Sequence, residues 1–218
     1  MTGSRVEVRC SAFLFDLDGV LVDSNAISER TWRRWAERHD LDPEPVLRIA
    51  HGRQVRDSLR KVFPSLAVDA EVEWLDAAEL QDVEGLTVVP GVKEFLASVP
   101  RDRWAIVTSC GHALAQVRLD AVGLPTPQIL VVAEDITNGK PAPDGYLLGA
   151  SRLGCDPRAC LVFEDAPAGV AAGRAAGARV VGLTTSLDAD ALVGAEAFIA
   201  DFTGVRVRAE GESFVVTI

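Results

Sequence analysis

Five short stretches of the chain are apolar at consecutive rather than alternate positions: SAFLFD (11–16), WAIVTS (104–109), ILVVAE (129–134), CLVFED (160–165) and RVVGLT (179–184). Continuous apolar runs of that length suit strands covered on both faces. Amphipathic stretches near 91–99, 112–122, 144–153 and 167–176 fall between them. This alternation predicts an α/β fold built on a doubly wound parallel sheet, whose ligands sit beyond the carboxyl ends of the strands.

One connection breaks the rhythm. Residues 17–103 separate the first two runs and are mostly helical in pattern, with a Trp32 and Trp35 stripe, then VRDSLRKVF, then DAEVEWLDAAELQDV. A structureless loop of that length is implausible, so the pattern predicts an inserted helical cap over 24–84. The sheet domain is then 1–23 and 85–218, hinged to the cap at both crossings, and a cap over the carboxyl edge could act as a lid. The tail VRVRAEGESFVVTI alternates on either side of Glu210 and Gly211 and predicts a terminal hairpin. The stretch AGVAAGRAAGARV is read as tight helix-on-sheet packing, because Arg174 and Arg179 exclude a membrane span.

At 218 residues the chain can hold one sizeable domain with a smaller insertion. Its formal net charge of −10 argues against a nucleic-acid partner. An acidic protein that handles phosphate must concentrate positive charge locally, as a metal ion with a lysine or arginine. Cys10, Cys110, Cys155 and Cys160 show no zinc-ligand spacing and read as reduced thiols. No basic segment precedes an apolar N-terminal run, and Asp16 interrupts the first one, so a cytoplasmic location without a membrane is expected.

The candidate chemistry lies at the strand ends. Asp16 and Asp18 follow the first run, Glu164 and Asp165 the fourth, and a parallel sheet brings such ends to one edge. Burying an unpaired carboxylate costs several kcal/mol, so a convergence of them calls for a cation, a proton or a partner. Oxygen-only ligands suit Mg²⁺ and fit zinc poorly. Thr108 and Ser109 offer hydroxyls and backbone N–H groups just before a helix beginning near His112, a favourable place for phosphate. Lys140 sits on a short proline-held loop. Metal carboxylates, a nucleophilic carboxylate, anion donors and a lysine make up the inventory of phosphoryl transfer.

With DLDGVLVDS at 16–24, VTS at 107–109, GKPAPD at 139–144 and EDAPAG at 164–169, the chain resembles the haloacid dehalogenase superfamily over essentially its whole length. The resemblance implies that Asp16 is the nucleophile that forms an aspartyl-phosphate and Asp18 the general acid, then base. It implies Mg²⁺ held by the Asp16 carboxylate, the Asp18 backbone carbonyl, Asp165 and Glu164, the last directly or through water. Thr108, Ser109 and Lys140 would hold the phosphoryl group, and Lys140 would also neutralise Asp16. Dehalogenases of the family lack the second aspartate, so Asp18 favours an oxygen leaving group. Asp23 is expected to order the hinge turn.

The cap segment AHGRQVRDSL (50–59) is similar to the specificity loop of bacterial hexitol and sugar phosphatases. His51 and Arg53, with Glu79 as a third, are the candidates to reach substrate hydroxyls, while Arg56 reads as a surface charge. A β-phosphoglucomutase holds its second phosphate with a cap lysine and an arginine, at positions where this chain has Ala78 and Val55. The expectation is a monomeric, Mg²⁺-dependent phosphatase of small sugar or polyol phosphate monoesters. A β-phosphoglucomutase-like phosphomutase is the alternative, and a non-catalytic phosphosugar-binding protein a more distant one.

Overall fold

A computed structural model describes residues 6–50, 52–63 and 68–218. The chain begins with β1 (Glu7–Cys10), alternately exposed and buried, and β2 (Ala12–Phe15), buried throughout. The short β3 (Val22–Asp23) leads into four helices, α1 (Asn25–Arg38), α2 (Pro43–Ala50), α3 (Val55–Val62) and α4 (Val68–Gln81), after which β4 (Thr87–Val88) returns antiparallel to β3. Strand and helix then alternate through α5 (Val92–Ala97), β5 (Trp104–Val107), α6 (His112–Val122), β6 (Leu130–Val131), α7 (Asp144–Arg152), β7 (Cys160–Glu164), α8 (Pro167–Ala175), β8 (Arg179–Leu183) and β9 (Ala197–Ile199). The hairpin β10 (Arg206–Glu210) and β11 (Ser213–Thr217) follows.

The principal sheet is parallel, with six strands in the order β6-β5-β2-β7-β8-β9. Successive residues of β2 point to opposite faces. Phe13 and Phe15 enter a cluster with Phe95, Trp104, Phe163 and Phe202, where the Phe15 and Phe163 rings stack at 5.2 Å. Leu14 enters the other face with Tyr146, Val162, Val170 and Val180, under α7 and α8. Full burial stabilises each such side chain by roughly 1.5–3 kcal/mol, which is why these runs are apolar at every position.

Three features depart from the sequence pattern. The run at 129–134 yields only a two-residue strand, β6, before a single 3₁₀ turn at Ala133–Asp135. Asp135 ends it: its carboxylate accepts from the Val132 amide at 3.1 Å and pairs with Arg152. The sixth strand, β9, is three residues long at the sheet's edge and leaves no run of its own. The terminal hairpin forms as expected, but β11 is the centre of a three-stranded antiparallel sheet, paired on its other side with β1.

The four helices between β3 and β4 have a hydrophobic cluster of their own, with Trp32, Trp35, Ala36, Val46, Leu59 and Leu75. Trp35 Nε1 donates to Glu71 Oε2 at 2.8 Å, and His39 Nε2 lies 3.0 Å from the same oxygen. Arg30 of α1 pairs with Asp82 just after α4, which holds the segment's ends together beside the β3–β4 crossing. Among the described residues, no helix is long and apolar enough to cross a membrane.

Candidate active site

Strand register brings the motif residues together. Phe15 lies level with Ile106 on one side and Phe163 on the other, so Asp16 ends its strand beside Val107 and Glu164. The Asp16 amide donates to Phe163 O at 3.1 Å, which carries the alignment one residue past β2. One carboxylate oxygen from each of Asp16, Glu164 and Asp165 lies within 4.8 Å of the others, all three residues buried. Two glycines make the approach possible. A Cβ on Gly169 would fall 1.8 Å from Glu164 Oε1, and one on Gly19, where φ is +71°, would fall 1.9 Å from Asp165 Oδ2.

Lys140 reaches this cluster from the loop before α7, its Nζ 2.9 Å from Asp16 Oδ1 and 2.6 Å from Glu164 Oε1. The Tyr146 hydroxyl donates to Glu164 Oε1 and the Ser186 hydroxyl to Asp165 Oδ2. Three buried carboxylates against one ammonium leave a formal −2. Burial pushes the Asp16 carboxyl well above its ordinary value, Lys140 opposes the rise, and Glu164, Asp165 and Asp18 add to it. Burial also acts to lower the Lys140 ammonium, but Asp16 and Glu164 beside it outweigh that and raise it. Glu164 Oε2 is buried with no hydrogen-bond partner among the described residues. An all-oxygen donor set, a net charge of −2 and an unmet acceptor together fit a hard divalent cation.

The Asp18 carboxylate does not join the cluster. It turns aside, with Oδ1 accepting from Ser24 Oγ and Oδ2 from Arg118 Nη1, each at 2.6 Å. Of the four acids at the strand ends, the structure brings three together and leaves Asp18 on the wall of a cleft of about 900 Å³. Thr108, buried at the end of β5, accepts from the Cys110 amide at 3.2 Å, and Ser109 also lines the cleft. The start of α6 is taken: the His112 amide donates to the Glu134 carboxylate at 3.1 Å. All four cysteines are free.

On the helical side, Arg53 is half-buried on the cleft wall with no ion pair among the described residues. Arg56, half-buried, pairs with the exposed Asp69 and also lines the cleft. Glu79 lines the cleft, but Ser28 Oγ lies 3.3 Å from one oxygen and Arg118 Nη2 is 2.6 Å from the other. His51 lies outside the described residues. Asp23 accepts from the Asn25 amide at 3.4 Å, at the turn into α1.

Sequence reasoning missed Arg118, Glu134, Tyr146 and Ser186. Arg118 had a signal: it falls on the buried stripe of α6 with Leu114, Ala115 and Leu119, where an unpaired guanidinium would be costly. Glu134 and Ser186 had none, because each meets its partner only through the tertiary fold.

Residues 10–177 match the haloacid dehalogenase-like hydrolase family. Hexitol phosphatase A of Escherichia coli K12 is 46 % identical over 189 residues, covering 83 % of this chain and 86 % of that protein. Glycerol-1-phosphate phosphohydrolase 2 of Saccharomyces cerevisiae is 32 % identical over 221 residues, covering 95 % and 88 %. The crystal structure of a hydrolase from Pseudomonas syringae superposes with a TM-score of 0.78 at 28 % identity, covering 88 % of this chain and 94 % of that one. With the clustered acids, the buried lysine and the parallel sheet that aligns them, these matches place the chain in the haloacid dehalogenase-like hydrolase family.

Proposed function

We propose that this protein is a Mg²⁺-dependent phosphatase of small sugar or polyol phosphate monoesters that works through an aspartyl-phosphate on Asp16. The observation that carries the reading is the buried set of Asp16, Glu164, Asp165 and Lys140 under a polar cleft. The likeness to hexitol phosphatase A supports the substrate class.

An Asp16 oxygen attacks phosphorus, and the ester P–O bond breaks with its electron pair on the leaving oxygen. That oxygen takes a proton from Asp18, whose side chain is 28 % exposed and reaches the cleft. Water then attacks the aspartyl-phosphate, giving its proton to Asp18 and restoring the Asp16 carboxylate. Lys140 opposes the burial that favours a proton on Asp16 and offers its charge to the carboxylate form. Thr108 and Ser109 orient the phosphoryl group. The Asp16 and Asp165 carboxylates, the Asp18 carbonyl and Glu164, directly or through water, would hold Mg²⁺, which neutralises charge on the phosphoryl oxygens.

The helical segment over 24–84 acts as a lid, hinged at β3 and β4, and Arg53 and His51 read the hydroxyls of the leaving group. Val55 and Ala78 leave it without the cations a mutase needs for a second phosphate, so hydrolysis is the better reading. The remaining parts of the proposal are a monomer in the cytoplasm.

The test is phosphate release from a panel of hexitol, hexose and glycerol phosphates, with Mg²⁺ and with chelator, and with Asp16→Asn as control. Release that needs the metal and is abolished in the variant supports the reading. Turnover by Asp16→Asn above a few per cent would refute the covalent role. Appearance of glucose 6-phosphate from β-glucose 1-phosphate, without phosphate release, would make it a mutase.

A further inference from the structure

Arg118 is 4 % exposed on the apolar stripe of α6. A guanidinium so placed is tolerated only if its donors are met by well-oriented acceptors. Two carboxylates from distant parts of the chain meet them: Asp18 Oδ2 takes Nη1 and Glu79 Oε2 takes Nη2, each at 2.6 Å. One planar fork therefore ties the catalytic loop to α4 of the helical segment. Asp18 Oδ1 accepts from Ser24 Oγ at 2.6 Å, so both oxygens of that carboxylate are fixed while its side chain stays open to the cleft.

The two anchors on Asp18 differ in kind. A guanidinium can only donate, so Oδ2 is committed to accepting from it; a serine hydroxyl can donate or accept, so Ser24 can stay bonded to Oδ1 whether or not that oxygen carries a proton. We propose that Arg118 is a positioning residue for Asp18, locking Oδ2 so that Oδ1 is the oxygen that gives and receives the proton, with Glu79 fixing the guanidinium from the other side. The inference rests on the reading above, in which Asp16 is the nucleophile and Asp18 the acid.

A residue that acts through the acid has a signature that a packing residue lacks. Expulsion of an alkoxide needs the proton, whereas nitrophenolate leaves without it, and kcat/KM reports the steps up to the first irreversible one, here cleavage of the ester. The experiment measures kcat/KM with Mg²⁺ for p-nitrophenyl phosphate and for the alkyl phosphate hydrolysed fastest in the panel. Arg118→Met and Arg118→Lys are compared with Asp18→Asn and Asp16→Asn. Arg118→Met is expected to lose about 100-fold on the alkyl ester and less than about 5-fold on the aryl ester, the same pattern as Asp18→Asn. Arg118→Lys keeps the charge but cannot bridge two carboxylates as a fork, and should show a milder form of the same selectivity. It also carries the test if the methionine variant fails to fold.

Equal losses on both esters, or no loss on either, overturn the positioning role. The controls separate that failure from failure of the underlying reading. Selectivity in Asp18→Asn without selectivity in the Arg118 variants removes Arg118 alone; a non-selective Asp18→Asn, or an active Asp16→Asn, removes both.

Discussion

The carboxyl edge of the sheet and the helical segment facing it solve opposite problems. At the edge, Asp16, Lys140, Glu164 and Asp165 are almost wholly buried; strand register and two glycines place the three acids, and the loop before α7 brings in the lysine. Across the cleft, Arg53 and Asp76 are half-buried and project from a loop and a helix. Burial raises the Asp76 carboxyl and Glu134 adds to the rise, while Arg118 and Arg56 oppose it. Charge held by backbone is stiff and suits chemistry that tolerates little displacement. Charge at the end of a flexible stem can adapt to different leaving groups, and its loss should cost less.

The sharpest way to break that contrast is Lys140→Met. It leaves Asp16 and Glu164 buried without their cation, and removing one partner of a buried pair costs about 3–5 kcal/mol. Turnover should fall by at least about 100-fold as well. Urea unfolding together with phosphate release checks both; a stability change under about 1 kcal/mol would mean the edge is less tightly coupled than its geometry suggests.

Next in size is Leu75→Ala, which empties part of the helical cluster at a cost of about 2–5 kcal/mol. Because that cluster shares no residue with those of the sheet, hydrogen exchange should quicken over α1–α4 and stay unchanged in β2, β5 and β7. Equal acceleration in the strands would show one cooperative unit and dissolve the comparison.

Arg53→Ala tests the adaptable side and should act more gently. KM for a polyol phosphate should rise roughly 5- to 10-fold with kcat for p-nitrophenyl phosphate little changed, a loss of about 1 kcal/mol of binding. A matching loss on the aryl ester would argue that Arg53 serves the phosphoryl group and not the sugar.

The smallest effect is a slope with pH. Burial pushes Glu71 up, but the hydrogen bonds from His39 and Trp35 outweigh it and hold this carboxyl below its ordinary value of 4.5. A depressed folded value gives stability that is complete above the unfolded carboxylate range and lost as pH falls through the folded value. Glu71→Gln should flatten that acid limb in thermal unfolding of the helical segment; an unchanged limb would place the acid sensitivity elsewhere.

What could be read from the sequence follows the same division. The strands β2, β5, β7 and β8 announce themselves as continuous apolar runs, and the acids after β2 and β7 are conspicuous because a carboxylate is costly where such a run ends. The three-residue edge strand β9 carries too few residues to stand out, β1 alternates exposed and buried positions instead of forming a continuous apolar run, and β6 is cut short by a hydrogen bond from Val132 to Asp135 that no periodicity encodes. The side chain of Asp18 could not be placed from its motif, because its direction depends on Arg118, one hundred residues away along the chain. The sequence likewise offers Glu79 as a sugar-reading group without showing its partner Arg118, for the same reason.

The place of β2 in the sheet also sets an order in time. It is the first strand of its sheet to leave the ribosome, yet its hydrogen-bonding partners β5 and β7 begin only at Trp104 and Cys160. Asp16 is thus made long before the lysine and acids that surround it, and the four helices are complete in the interval with a cluster that needs no later residue. Folding during synthesis is expected to run from the helical segment to the sheet edge, with β2 unprotected until β5 and β7 arrive. Proteolysis of stalled nascent chains would reveal that order as protection of Trp32 and Trp35 ahead of Phe13 and Phe15, and the reverse sequence would contradict it.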